Sequence, residues 1–255
     1  NMGIIGHSPL SNDSLFTASG TTDSGVPFLR MYEYERIREA EYQMDFWLEE
    51  KSRSLNCRMR IVNHTDQVIP MYWWSNMAVP EYPSGQIIVP AATAYTCKNW
   101  EVYKVNAPEV DGNNIFHYES IPDQIDYFFD IPYECPKYIA NVNKEGYGLL
   151  QTSTRRLRAR KLFSWGHNEG SDRWQHFLTE DAGPYIEIQA GLGKTQYGCL
   201  PMAPHTAWEW LEQYGAVQLP QTTSSQDNCQ YIEQHVSSEE LERLLQTSAS
   251  FAHQK

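Results

Sequence analysis

Four short segments concentrate side chains able to hold and act on a polar ligand. The first runs Met71-Tyr72-Trp73-Trp74-Ser75-Asn76-Met77-Ala78-Val79-Pro80-Glu81. In an extended strand, Tyr72, Trp74 and Asn76 share one face, and Trp73 and Ser75 take the other. One indole can then enter a core while the other lines a groove. An indole beside an amide and a carboxylate (Glu81) suits a pyranose, because the ring stacks and the hydroxyls take the hydrogen bonds. A Trp-rich core strand fits the same residues equally well. The second segment is Pro184-Tyr185-Ile186-Glu187-Ile188-Gln189-Ala190-Gly191. Ile186 and Ile188 face one way, and Tyr185, Glu187 and Gln189 the other. If that polar face is covered, Glu187 loses water, its pKa rises, and it suits general acid or base work. If it is open, it is a solvated outer surface.

The third segment, Phe163 to Trp174, sets Trp165, His167, Glu169, Asp172 and Arg173 around Gly166 and Gly170. Such glycines permit a tight loop and close ligand approach. His167 titrates near neutrality and can relay a proton, although a lone loop histidine is more often plain surface. His167, Glu169 and His176 match no standard metal-site spacing, so neither metal nor cofactor is expected. The fourth segment, Trp208-Glu209-Trp210-Leu211-Glu212-Gln213-Tyr214, reads as a groove wall or, slightly better, as the surface of a short helix.

Composition narrows the partners. The net charge of −12 over 255 residues argues against nucleic acid and anionic membrane. No apolar run of 18 residues is present, and no signal-like start is visible. Five widely spaced cysteines without a CxxC pair fit a reducing cytoplasm better than a disulfide framework or a zinc ribbon. The basic run Arg155–Lys161 is expected to be a solvated strand or internally paired.

The elements that would position these residues are mostly strands. Arg30 to Glu49 alternates, with Tyr42, Met44, Phe46 and Leu48 on one side; a helix competes only over Glu33–Glu41. Cys57–Val62 alternates apolar and basic residues, and Val68–Val79 is expected to pair back on it. Ile87–Val89 is a short strand, and 105–148 reads as loop-rich. Ser237-Ser238-Glu239-Glu240 is a capping box opening a helix over 237–250. The organisation expected is a loop-like arm over 1–26, one β domain over 27–217, and a linker with an appended helix over 218–255. The fold class is mainly β.

The stretch from about Val26 to Tyr214 resembles an uncharacterised bacterial domain family found ahead of tetratricopeptide repeats. The resemblance rests on Tyr-Trp-Trp-Ser-Asn-Met-Ala-Val-Pro-Glu at 72–81, Lys-Leu-Phe-Ser-Trp-Gly at 161–166 and Pro-Tyr-Ile-Glu-Ile-Gln-Ala-Gly at 184–191. It implies a galactose-mutarotase-like supersandwich, a large antiparallel two-sheet sandwich with a sugar site on its concave face. It also implies a following tetratricopeptide repeat region as a partner. In galactose mutarotases a His in a His-Pro-Tyr-Phe-like motif is the acid and a Glu on a late strand the base. Glu187 stands where that Glu belongs. Tyr72–Asn76 stands where the first motif belongs and contains no His, which puts mutarotase activity itself in question.

Three functions follow. The first is an enzyme on a glycoside or free sugar, with Glu187 as one acid/base group and His167, Glu169, Asp172 or Glu81 as the other. Trp73, Trp74, Asn76, Glu81, Trp165, Tyr185 and Gln189 would bind the mono- or oligosaccharide. The second is a non-catalytic sugar-binding or protein-interaction module of a larger protein. The third is a structural domain with every aromatic cluster buried.

Overall fold

A computed structural model describes residues 12–180, 182–220 and 224–254. Among the described residues the strands are, in chain order, β1 (Phe16–Thr21), β2 (Pro27–Glu35), β3 (Ala40–Trp47), β4 (Ser54–Asn63), β5 (Ile69–Met71) and β6 (Trp74–Pro80). Then come β7 (Gln86–Ile88), β8 (Thr93–Lys98), β9 (Glu101–Asn106), β10 (Glu109–Val110), β11 (Asn113–Asn114) and β12 (Ile125–Phe129). The last six are β13 (Lys137–Val142), β14 (Tyr147–Ser153), β15 (Ala159–Ser164), β16 (Tyr185–Gly191), β17 (Leu200–Met202) and β18 (Thr206–Gln218). The helices are α1 (Glu169–Thr179), α2 (Ser225–His235), α3 (Ser238–Thr247) and α4 (Ala249–Ala252).

Two large antiparallel sheets stack on each other. One has the order β1-β2-β3-β4-β18-β14-β13-β7 and the other β6-β16-β15-β12-β8-β9, with the pairs β10-β11 and β17-β5 beside them. Period-two alternation decides what lies between them. Ile186 and Ile188 of β16, Leu162 of β15, and Tyr127 and Phe129 of β12 turn inward and meet Ile87 and Ile139 of the larger sheet. A second cluster joins Met59, Ile61 and Trp210 of the larger sheet to Trp73, Ala190 and Leu192. Between the sheets, Ser75 Oγ donates to Glu212 Oε2 at 2.7 Å. That buried carboxylate also accepts from Gln151, Trp210 and Tyr214, so its charge is met by four donors.

The other face of the larger sheet is covered by the C-terminal helices. Ile232 of α2 packs with Tyr138, Ala140 and Val217, while Leu241 of α3 and Phe251 of α4 pack with Phe28, Trp47 and Leu211. Ser237 Oγ accepts from Glu240 N, the N-cap expected from the sequence. The helical segment is therefore a third layer rather than an appendage, and α2 occupies much of the stretch read as a linker.

Other expectations change. Phe16–Thr21, assigned to the loop-like arm, is a strand paired with β2; residues 1–11 of that arm lie outside the described residues. Glu33–Glu41 is strand and turn, because β2 and β3 pair directly, Tyr34 opposite Glu41. Val68–Val79 does not pair back on β4. It divides into β5, on β17, and β6, which joins the smaller sheet beside β16. Within 105–148, β13 is buried along its whole length. Thr206–Gln218 is the longest strand, with β4 and β14 on its two sides. Its Glu209 pairs with Arg58 and Arg60 across the sheet and with His253. The basic run splits: Arg155, Arg156 and Arg158 are exposed around a turn, whereas Arg160 is buried and donates to backbone carbonyls and Ser153.

Candidate functional site

β16 lies between β6 and β15, and its register sets the site: Gln189 faces Asn76, Lys161 faces Gln189, and Phe163 faces Glu187. With Ile186 and Ile188 in the core, Tyr185, Glu187 and Gln189 must turn to the face pointing away from the larger sheet. Asn76, Lys161, Phe163 and Asp126 turn the same way, and a cavity of 420 Å³ opens among them. Its walls also hold Gln124, Trp165, Gln196, Tyr197 and Leu178 of α1.

Glu187 is half-buried at this cavity. Its Oε2 accepts from Asn76 Nδ2 at 2.7 Å and from Gln189 Nε2 at 2.9 Å. Both amides converge on that one oxygen. The wiring continues outward: Gln196 Nε2 donates to Gln189 Oε1 at 2.8 Å, and Lys161 Nζ donates to Gln196 Oε1 at 2.6 Å. Lys161 Nζ also lies 2.7 Å from Asp126 Oδ1. Asp126, Phe163 and Glu187 stand in one row across β12, β15 and β16. Two strand spacings put the Cα atoms of the two acids about 10 Å apart on one face.

The aromatic walls are held edge to face. Trp165 meets Phe163 at 5.0 Å and Tyr185 at 6.0 Å between ring centroids. Trp74 meets Phe128 at 5.6 Å. A Cβ on Gly191 would come within 2.3 Å of the Trp74 ring, so glycine is what lets this indole lie flat on β16. Burial lifts the Tyr197 phenol above its ordinary value, and nearby Asp126 adds to this. Burial also lifts Tyr185, although the Trp165 indole N–H works against it. Both hydroxyls therefore stay protonated at neutral pH and can donate to a ligand.

α1 forms one rim. Asn168 Oδ1 caps it by accepting from Gly170 N at 2.9 Å and Ser171 N at 3.0 Å, and Gln175 Oε1 accepts from Tyr185 N at 3.0 Å. The segment read as a glycine-bracketed loop is thus a short loop followed by a helix.

The structure brings Glu187, Tyr185, Gln189, Trp74, Asn76 and Trp165 together at the cavity. It sets the five other candidates apart. Glu169 and Asp172 are exposed in the first turn of α1 and do not line the cavity. His167 lies 3.0 Å from Glu81 Oε1, not beside Glu187. Glu81 is nearly enclosed, and burial raises its carboxyl above the ordinary value while His167 pulls it back. Trp73 turns inward against Trp210 at 5.8 Å and Tyr42 at 6.0 Å. Asp126, Lys161 and Gln196 were not singled out as site residues. Asp126 falls in the stretch read as loop-rich, and Lys161 in the basic run expected to be solvated or internally paired. Among the described residues no group of three or more His, Cys, Asp or Glu side chains is placed to hold a metal ion.

A family model for a domain of unknown function, DUF5107, matches residues 1–206. The chain belongs to that family. A solved structure of a TPR-domain-containing protein from Parabacteroides distasonis is similar to this DUF5107 chain over 86% of its length at 23% identity, with a TM-score of 0.73. The chain spans 37% of that protein. A galactose mutarotase-like protein from Clostridium acetobutylicum superposes with a TM-score of 0.59 over 84% of this chain and 69% of that one, at 10% identity. A galactose mutarotase related enzyme from Lactobacillus acidophilus gives 0.52 over 82% and 73%, also at 10% identity. The fold is galactose mutarotase-like. Among the described residues no helix is long and apolar enough to cross a membrane.

Proposed function

We propose that this domain binds a neutral sugar in the Glu187 cavity and that Glu187 acts there as a general base. The observation that carries the reading is the arrangement around this carboxylate. One oxygen is held by Asn76 and Gln189, and the residue lines a cavity walled by amides, phenols and two indoles. Amides and phenols match sugar hydroxyls as donors and acceptors, and aromatic rings match the C–H face of the ring. The likeness in fold to mutarotase-like proteins supports the same reading. Asp126, paired with Lys161, is the second acidic group on this face. Asp126 and Glu187 stand in one row on this face, so a two-carboxylate reaction would use this pair.

The same amide clamp supports a second reading, in which Glu187 only accepts hydrogen bonds and the domain is a sugar-binding module of a larger protein. Replacing Glu187 by Gln separates the two. Mutarotation of α-glucose and α-galactose is followed by polarimetry, hydrolysis of nitrophenyl glycosides by absorbance, and sugar affinity by calorimetry. For the base reading, Glu187→Gln lowers turnover by about 10²–10⁴-fold and changes affinity only a few-fold. Sugar binding by the wild type without turnover on any probe would establish the module instead.

A further inference from the structure

The edge strand β6 separates the Glu187 cavity from a second, larger opening. Beyond this edge the smaller sheet stops, and whereas Met59 and Ile61 of β4 are buried, Tyr42, Met44 and Phe46 on the inner face of β3 are only partly buried. The groove there measures 600 Å³ and is lined by Tyr42, Met44, Phe46, Leu55, Met59 and Trp73. Trp74 and Asn76 line both openings. Asn76 is therefore a shared wall, exposed on the strand edge while its amide holds Glu187 Oε2. The charged carboxylate at the groove floor, Glu212, is already met by its four donors and offers no open partner. Asp13, Glu33 and Glu35 also line it, with Arg36. That surplus of acid in a chain of net charge −12 disfavours an anionic ligand.

We infer that the ligand is a glycoside with an apolar aglycone, its sugar ring at Glu187 and its alkyl or aryl group laid over β6 into the groove of Tyr42, Met44, Phe46 and Trp73. The inference rests on the sugar reading above and narrows its substrate class from free sugars to neutral glycoconjugates. Continuity through Trp74 and Asn76 selects this occupant: a group joined to the anomeric carbon leaves the first opening along the wall of the second. An oligosaccharide would bring hydroxyls onto methionine and phenylalanine side chains that cannot hydrogen-bond them.

The test is calorimetric titration of the chain with glucose, galactose, n-octyl glucoside, n-octyl galactoside and, as a sugar-free control, octyl tetraethylene glycol ether. All octyl probes are kept below their micelle concentrations. At least one octyl glycoside is expected to bind ten-fold or more tighter than its free sugar and than the control. Met44→Gln and Phe46→Ser, each checked for folding by circular dichroism, are expected to remove that gain while leaving free-sugar affinity unchanged. Equal affinity for free sugar and octyl glycoside overturns the inference and leaves the sugar reading standing. Equal affinity for octyl glycoside and sugar-free control, with no free sugar bound, overturns both. A dimer that dissociates in Met44→Gln would assign the groove to a second copy and overturn the inference as well.

Discussion

Glu187 and Glu81 come from two separate sequence segments and have opposite surroundings. Glu187 meets amide donors and an open cavity, whereas Glu81 is enclosed and faces the single imidazole of His167. Burial is the largest influence on Glu81 and raises its carboxyl above 4.5; His167 opposes this, and Glu119 and Asp172 reinforce it. A raised folded-state value means the neutral acid is favoured in the fold. That contribution is complete below the unfolded value and is lost as pH rises through the folded one. Glu81→Gln should therefore melt higher than the wild type at pH 7, and the gain should vanish by pH 4. Thermal melts at both values check this, and a variant less stable at pH 7 would show that the His167 pair outweighs burial. At this scale, much of the site was legible. The period-two pattern of Tyr185, Glu187 and Gln189 beside Ile186 and Ile188 located the polar face. His167, Glu169 and Asp172 lie off the cavity for local reasons: Glu169 and Asp172 sit in the first turn of α1, whose far end brings Leu178 to the rim, and His167 pairs with Glu81.

Among the elements, β16 does most to build the site, since its two neighbours supply Asn76, Lys161 and Phe163 in register with its own polar residues. Its last residue, Gly191, lies under the Trp74 ring. Gly191→Ala forces that indole or the strand to shift, at a cost of about 1–3 kcal/mol. A thermal melt should show a drop of roughly 2–4 °C per kcal/mol for a domain of this size. Sugar affinity should fall with it, because Trp74 and Asn76 share the strand that moves. Unchanged stability and affinity would show that Trp74 has no part in shaping the cavity. Strands with clean alternation, such as β3, β4 and β16, were readable from the sequence. β18 was not, because its charges make sense only across the sheet. Glu209 sits opposite Arg60 and bonds Arg58, and Glu212 is buried among donors from β6 and β14. In isolation those acids between tryptophans resemble a solvated helix.

At the scale of the molecule, three layers divide the work. The helices seal one face of the larger sheet, the two sheets make the core, and the free face of the smaller sheet carries the cavity. Mainly β class and mutarotase-like architecture were legible from alternation and resemblance. The helical third layer was not, since the polar stretch before Ser237 gave no sign that α2 would pack Ile232 against Tyr138 and Val217. The groove was equally hidden. Tyr42, Met44 and Phe46 announce a face turned to a partner sheet, and only the strand order shows that the partner ends at β6. The proposed function requires a sugar ring on the free face of the smaller sheet. A crystal structure of the domain with bound glucose, galactose or an octyl glycoside tests that most directly. The expected density is a ring against Trp165 or Tyr185, with a hydroxyl about 3 Å from Glu187 Oε1. Sugar bound elsewhere on the molecule, with the Glu187 cavity holding solvent at saturating ligand, would contradict it.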